Sequence, residues 1–137
     1  MSRSIEDVSS IEAESGVLAT LVKHPDYFLT AEYLSPRDFY NSENGYIYFA
    51  IGELAKKDIK EIDTYAILNV LNMRKSTEPS ACGITQRNVD ELIINAGLIA
   101  RDSVDAYRML VDIVVDKSFR RKMLRTLSDC EDRKSVV

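Results

Sequence analysis

The chain has 137 residues, 45% of them apolar and 29% charged, with a formal net charge of −4. That balance suits one soluble globular domain large enough to bury a core without staples. It excludes a surface built mainly to neutralise phosphates, although a local basic patch is compatible with it. Five glycines and three prolines leave most of the chain without turn clusters, which favours an all-α fold: a compact helical globule followed by a C-terminal antiparallel helical hairpin.

Ser9-Ser10-Ile11-Glu12 reads as a capping box, with the Ser9 hydroxyl accepting from the Glu12 amide. The helix that follows puts Ile11, Leu18, Leu21 and Val22 on one face. Gly16 inside it costs about 1 kcal/mol against alanine, which suggests a close helix crossing. Pro25 suits the first position of a second helix, through about Tyr33, because its missing N–H is unpaired there anyway. His24-Pro25-Asp26 also spells the tripeptide of J-domain co-chaperones, but the helix before it is acidic at its start, and a helix start explains the residues with less. Ser35-Pro36 opens a short helical turn in the same way. A third long helix spans about Glu43 to Lys57, with Ile47, Ala50, Ile51 and Leu54 at the i, i+3, i+4, i+7 spacing. Asp63 can cap a fourth, which carries Ile67, Leu68 and Leu71.

MRKSTEPSACG, at 73–83, is polar and contains Pro79 and Gly83, so it reads as a boundary or long connection. It separates a helical globule (1–75) from the hairpin (84–130). Thr85 caps the first hairpin helix, which bears Val89, Leu92, Ile93, Ala96 and Ala100. A break at Arg101-Asp102-Ser103 leads to the second. The last residues, SDCEDRKSVV, lose the apolar period and read as a fraying end or the start of a linker.

The second hairpin helix is unusual. In YRMLVDIVVDKSFRRKML (107–124) a stripe of Tyr107, Leu110, Val111 and Val114 can cover the neighbouring helix, but Met109, Ile113 and Val115 point elsewhere. A helix apolar on most sides is central to its domain or buried by another chain. Self-association through Leu92, Ile93, Ala96, Tyr107, Leu110, Ile113 and Val114 is the reading preferred here. The alternative is that the first four helices cover both faces. The basic residues that follow, Lys117, Arg120, Arg121, Lys122 and Arg125, read as a solvated face near a helix C-terminus, with a phosphate-backbone contact as the rarer option. The aromatics from Tyr27 to Phe49 read as a packed mini-core rather than a stacking platform, since Arg37 is the sole basic residue among them.

No phosphate-binding loop, dinucleotide fingerprint, zinc-protease motif or nucleophile elbow occurs. Carboxylates such as Glu12, Glu14, Asp129, Glu131 and Asp132 read as capping or solvent-facing groups. Cys82 and Cys130 form no framework, and the lone His24 has no metal-ligand partners at suitable spacing. No signal peptide or membrane-length apolar run is evident, so the expected compartment is the cytoplasm.

Taken in order, IEAESGVLATLV, LSPRDFYNSENGYIYFAIGEL, IDTYAIL, VDELI and DAYRMLVDIVVDKSFRRKML resemble the N-terminal domain of DnaB-type replicative DNA helicases, over about residues 9–125. Where relatives usually carry a His-Arg pair after the aspartate-phenylalanine-tyrosine turn, this chain has Asn44-Gly45. The resemblance implies a non-catalytic collar domain that pairs as dimers within a hexamer. It also implies docking of the C-terminal domain of primase, or of a helicase loader, with DNA met only weakly or through the parent. ATP and Mg²⁺ would belong to a RecA-like ATPase domain absent from this stretch, which is then a fragment or a shortened relative. Other readings are a stand-alone regulator that imitates the collar, and a weak single-stranded DNA-binding module acting through Lys117 to Arg125.

Overall fold

Helix ends are set by side chains that answer unpaired backbone N–H groups. The computed structural model describes residues 10–74 and 84–136, and the helices among them are α1 (Ile11–Lys23), α2 (Ser42–Lys56), α3 (Thr64–Arg74), α4 (Gln86–Ile99) and α5 (Val104–Val136). Two 3₁₀ segments, Pro25–Ala31 and Pro36–Asp38, lie between α1 and α2, and the described residues contain no strand. The all-α expectation is met. The cap of α1 is Ser10, whose hydroxyl accepts from the Ala13 amide, while the expected Ser9 cap lies outside the described residues. Asn41 caps α2, and Asp63 accepts from the Ala66 amide at the start of α3. Thr85 and Asn88 form a reciprocal capping box on α4.

The second helix is shorter and tighter than its sequence suggested, a 3₁₀ run that ends at Ala31. α2 closes in a Schellman arrangement: the Asp58 amide donates to the Ala55 carbonyl and the Ile59 amide to that of Leu54. Asp58 sits there at φ 59°, a left-handed conformation that Asp tolerates better than most residues. The helical backbone of α5 runs on to Val136, past the point where fraying was expected, because nothing after Ser103 is a glycine or proline that would break it. Of the expected connection at 73–83, Met73 and Arg74 finish α3 and the rest lies outside the described residues.

The packing centre is α1. It contacts α2, α4, α5 and the first 3₁₀ segment, and its Ala13, Glu14, Gly16, Val17, Leu18, Ala19, Thr20 and Leu21 are all buried. Gly16 makes one of these contacts possible, since a Cβ there would stand 2.8 Å from Leu110 Cδ1 on α5. The close crossing read from Gly16 is the α1–α5 crossing.

Two expectations change here. α4 and α5 do not pack on each other as a hairpin; each packs on α1. The reason is the way their connection is held. Ala100 is extended (φ −64°, ψ 141°), the Arg101 amide donates to Thr20 Oγ1 at 2.9 Å, and Lys23 Nζ lies 3.3 Å from Asp102 Oδ1. Pinned to the C-terminal end of α1, the connection carries α5 away from α4. The division at 75/84 also does not separate two cores. Ile84, Val89, Tyr107, Val111 and Val114 belong to the same apolar cluster as Val17, Leu18, Ile51 and Ile67.

Part of the aromatic span forms the expected mini-core. Tyr48 packs between Phe28 and Phe39, with centroids 5.4 and 5.1 Å away, and its hydroxyl donates to the Leu34 carbonyl. Burial pushes that hydroxyl's pKa up. Tyr33 and Tyr40 instead lie on the surface.

Candidate interaction site

Two buried carboxylates position the surface. Glu14, expected to face solvent, is 1% exposed. It accepts from the Tyr40 amide (2.6 Å), the Asn41 amide (3.3 Å) and Asn44 Nδ2 (3.1 Å). It therefore fixes the turn before α2 onto α1. The Asn44-Gly45 pair fits this arrangement: Asn44 completes the carboxylate's shell, and a Cβ on Gly45 would stand 2.6 Å from the Pro36 carbonyl oxygen, so no larger residue fits without moving backbone.

Asp38 is the second. It accepts from the Ser35 amide and, at 2.7 Å, from the Ser118 hydroxyl on α5. Lys122 Nζ approaches it at 3.6 Å, and Arg121 donates to the Asp38 carbonyl at 2.7 Å while lying 5.5 Å over the Tyr40 ring. Burial pulls the Arg121 pKa down from its usual value, Glu14 opposing and neighbouring Arg125 adding to the effect. These residues dock α5 on the 3₁₀ turn Pro36–Asp38.

The basic run is thus not a uniform solvated face. Arg121 and Lys122 anchor the helix, and Arg120 pairs with Asp116 at 3.0 Å. Lys117 is half-buried and Arg125 exposed. The dipole argument also lapses, since the run lies far inside a helix that reaches Val136.

At 100° per residue α5 has two apolar stripes. The inner one holds Tyr107, Val111, Val114 and Ser118, all buried. Burial raises the Tyr107 pKa, and its hydroxyl has no hydrogen-bond partner among the described residues. The opposite stripe holds Met109, Ile113, Met123, Leu124 and Leu127, flanked by Phe119, and each is 41% exposed or more. It extends about 27 Å along the helix and is broken midway by the exposed Asp116–Arg120 ion pair. On the same helix Asp112 accepts from the Tyr33 hydroxyl at 2.6 Å, a bond that raises the tyrosine pKa.

The residues expected to form one self-association face are therefore dispersed. Tyr107, Val114 and Ala96 are buried within the chain itself, so they offer a second copy no surface. Leu92, Ile93 and Leu110 are half-buried on α4 and under Gly16. Ile113 alone stands out to solvent. Met123, Leu124 and Leu127 were missed, and Met109, read as pointing away from the neighbouring helix, was left out of the face, although plotting the whole of α5 on a helical wheel places all four near Ile113.

A groove of about 580 Å³ opens between the 3₁₀ turn Pro36–Asp38, α2 and α5. Its lining includes Arg37, Arg125, Tyr46, Phe49 and the buried Phe39. Among the described residues no group of His, Cys, Asp or Glu could hold a metal ion, and no helix is long and apolar enough to cross a membrane.

The fold and these surfaces define an all-α domain that locks a long helix onto a globule and leaves that helix's other side uncovered. The DnaB-like helicase N terminal domain family model matches residues 6–83, more than half of the chain, and the chain belongs to that family. No curated protein and no solved structure matches it.

Proposed function

We propose that this domain is a non-catalytic assembly and docking module of a DnaB-type replicative helicase. It pairs with a second copy through the outer stripe of α5, contributes to the collar of a hexameric ring, and offers a surface to primase or a loader. Unwinding, with its ATP and Mg²⁺, belongs to a separate ATPase domain of the parent. The observation that carries this reading is the exposed run of Met109, Ile113, Met123, Leu124 and Leu127, directly opposite the stripe by which α5 is held.

A specific interface buries roughly 1,200–2,000 Å² in total, and a stripe of this length on each of two copies can supply an interface of that kind. In light scattering at ~100 μM, above the range of weak dissociation constants, the domain is expected to run as a dimer or larger. Ile113→Asp lowers that mass by placing an unpaired charge in the interface, and a monomeric wild type counts against pairing. A stand-alone regulator that imitates the collar is the second reading. It is favoured if the open reading frame ends without a phosphate-binding loop.

A further inference from the structure

The outer stripe of α5 has an internal order. Met109, Ile113, Asp116, Arg120, Met123 and Leu127 follow one another in alternating i+4 and i+3 steps, the spacing of the seam by which two helices pair. All six are exposed. At 100° per residue they fall within an arc of about 80°, opposite the buried Tyr107, Val111, Val114 and Ser118. The seam is apolar at both ends. At its middle stand an acid and a base, Asp116 and Arg120, paired within the helix at 3.0 Å.

This order matches its own reverse. Turned end for end about a point level with Ser118, the seam sets Met109 against Leu127 and Ile113 against Met123, apolar on apolar. It sets Asp116 against Arg120 at both central layers. A parallel pair would instead face Asp116 with Asp116 and Arg120 with Arg120, and like charges juxtaposed in an interface are unfavourable. The rest of the helix agrees. Its first half carries Asp105 and Asp112 against Arg108, and the basic run from Lys117 to Arg125 fills its second, so only opposed directions bring unlike halves together.

We propose that two copies of α5 pair in opposite directions in this register and exchange their ion pairs. Asp116 of each copy meets Arg120 of the other, closing a ring of four charges between apolar layers. The exchange costs little, because an exposed ion pair within one helix contributes little to begin with. It also fixes the register. Sliding one copy by seven residues would set Ile113 against Asp116 and Met109 against Arg120, leaving charges buried without partners. A second copy is the occupant that fits, because a seam complementary to its own reverse is what a two-fold pair requires. The proposal rests on the pairing proposed above and adds its direction and register.

The test uses the whole 137-residue domain with Cys82 and Cys130 replaced by serine and a single Ile113→Cys or Met123→Cys. Mixed and mildly oxidised, the two proteins are expected to form the mixed covalent dimer at least about tenfold faster than either forms its own. In this register residue 113 of one copy faces 123 of the other, while like positions lie about 15 Å apart along the axis. Light scattering gives a second readout. Asp116→Arg alone sets base on base and is expected to lower the dimer mass at ~100 μM. Adding Arg120→Asp to the same chain restores unlike facing charges and the mass. Absence of the mixed dimer, or like-with-like cross-links forming as fast, overturns the register, and a dimeric mass then leaves the pairing itself standing. A monomeric wild type overturns both.

Discussion

α1 and the first half of α5 are both rich in apolar residues, yet the chain treats them oppositely. α1 is enclosed by α2, α4, α5 and the first 3₁₀ segment, and even its buried polar groups are answered. Glu14 accepts three hydrogen bonds, and the Thr20 hydroxyl both donates to the Gly16 carbonyl and accepts from the Arg101 amide. α5 is held along one stripe only, and its other stripe faces solvent for about 27 Å. All-round apolarity thus has two physical solutions. One is completed inside the chain, and the other leaves surface for something else to cover.

The sharpest break of this comparison uses two positions on opposite sides of α5. Val111 is fully buried and Ile113 is 41% exposed. Val111→Asp is expected to cost at least about 4 kcal/mol, enough to unfold a marginal domain, because its charge enters a packed core without a partner. Ile113→Asp is expected to leave folding stability within about 0.5 kcal/mol, as surface changes usually do. Paired urea melts check both, and equal losses at the two positions would erase the distinction between the faces.

Glu14→Ala comes next. It leaves the Tyr40 and Asn41 amides and the Asn44 side chain without their acceptor. A loss of about 1–2 kcal/mol is expected from the lost bonds of these part-buried donors, measured by the same melts. A loss below about 0.5 kcal/mol would mean the turn before α2 is held by something else.

The smallest change has the opposite sign. The Tyr107 hydroxyl is buried without a hydrogen-bond partner among the described residues, so Tyr107→Phe is expected to stabilise the domain by up to about 1 kcal/mol. Destabilisation would show that the hydroxyl is satisfied in solution, and α5 would then resemble α1 more closely than the comparison allows.

Local features were legible in the sequence, while their tertiary partners were not. Asp63 and Thr85 cap helices because short polar side chains can reach the first free amides, whereas the Asn41 cap of α2 went unread. Gly16 signals a close crossing because only a missing Cβ admits one. The helix following α4 was likewise legible, but its neighbour was not. A short connection predicts antiparallel packing, and nothing local in Arg101-Asp102-Ser103 reveals that Thr20 and Lys23 bind it from eighty residues away in sequence. Glu14 was misplaced for the same reason, since two of its donors come from the turn after the second 3₁₀ segment and the third, Asn44, from the first turn of α2. The outer stripe of α5 was half-legible. Ile113 was found, but Met123, Leu124 and Leu127 were hidden by the basic residues threaded between them, which suggested a solvated face.

Pairing through that outer stripe can be tested by cross-linking. In a background where Cys82 and Cys130 are serine, cysteines are placed at Ile113 and Met123 and, in a control protein, at Tyr65, which is 72% exposed on a different helix. Under mild oxidation the account predicts rapid covalent dimers from the first protein and few from the control. Equal yields from the two proteins, or no dimer from the first, would contradict it.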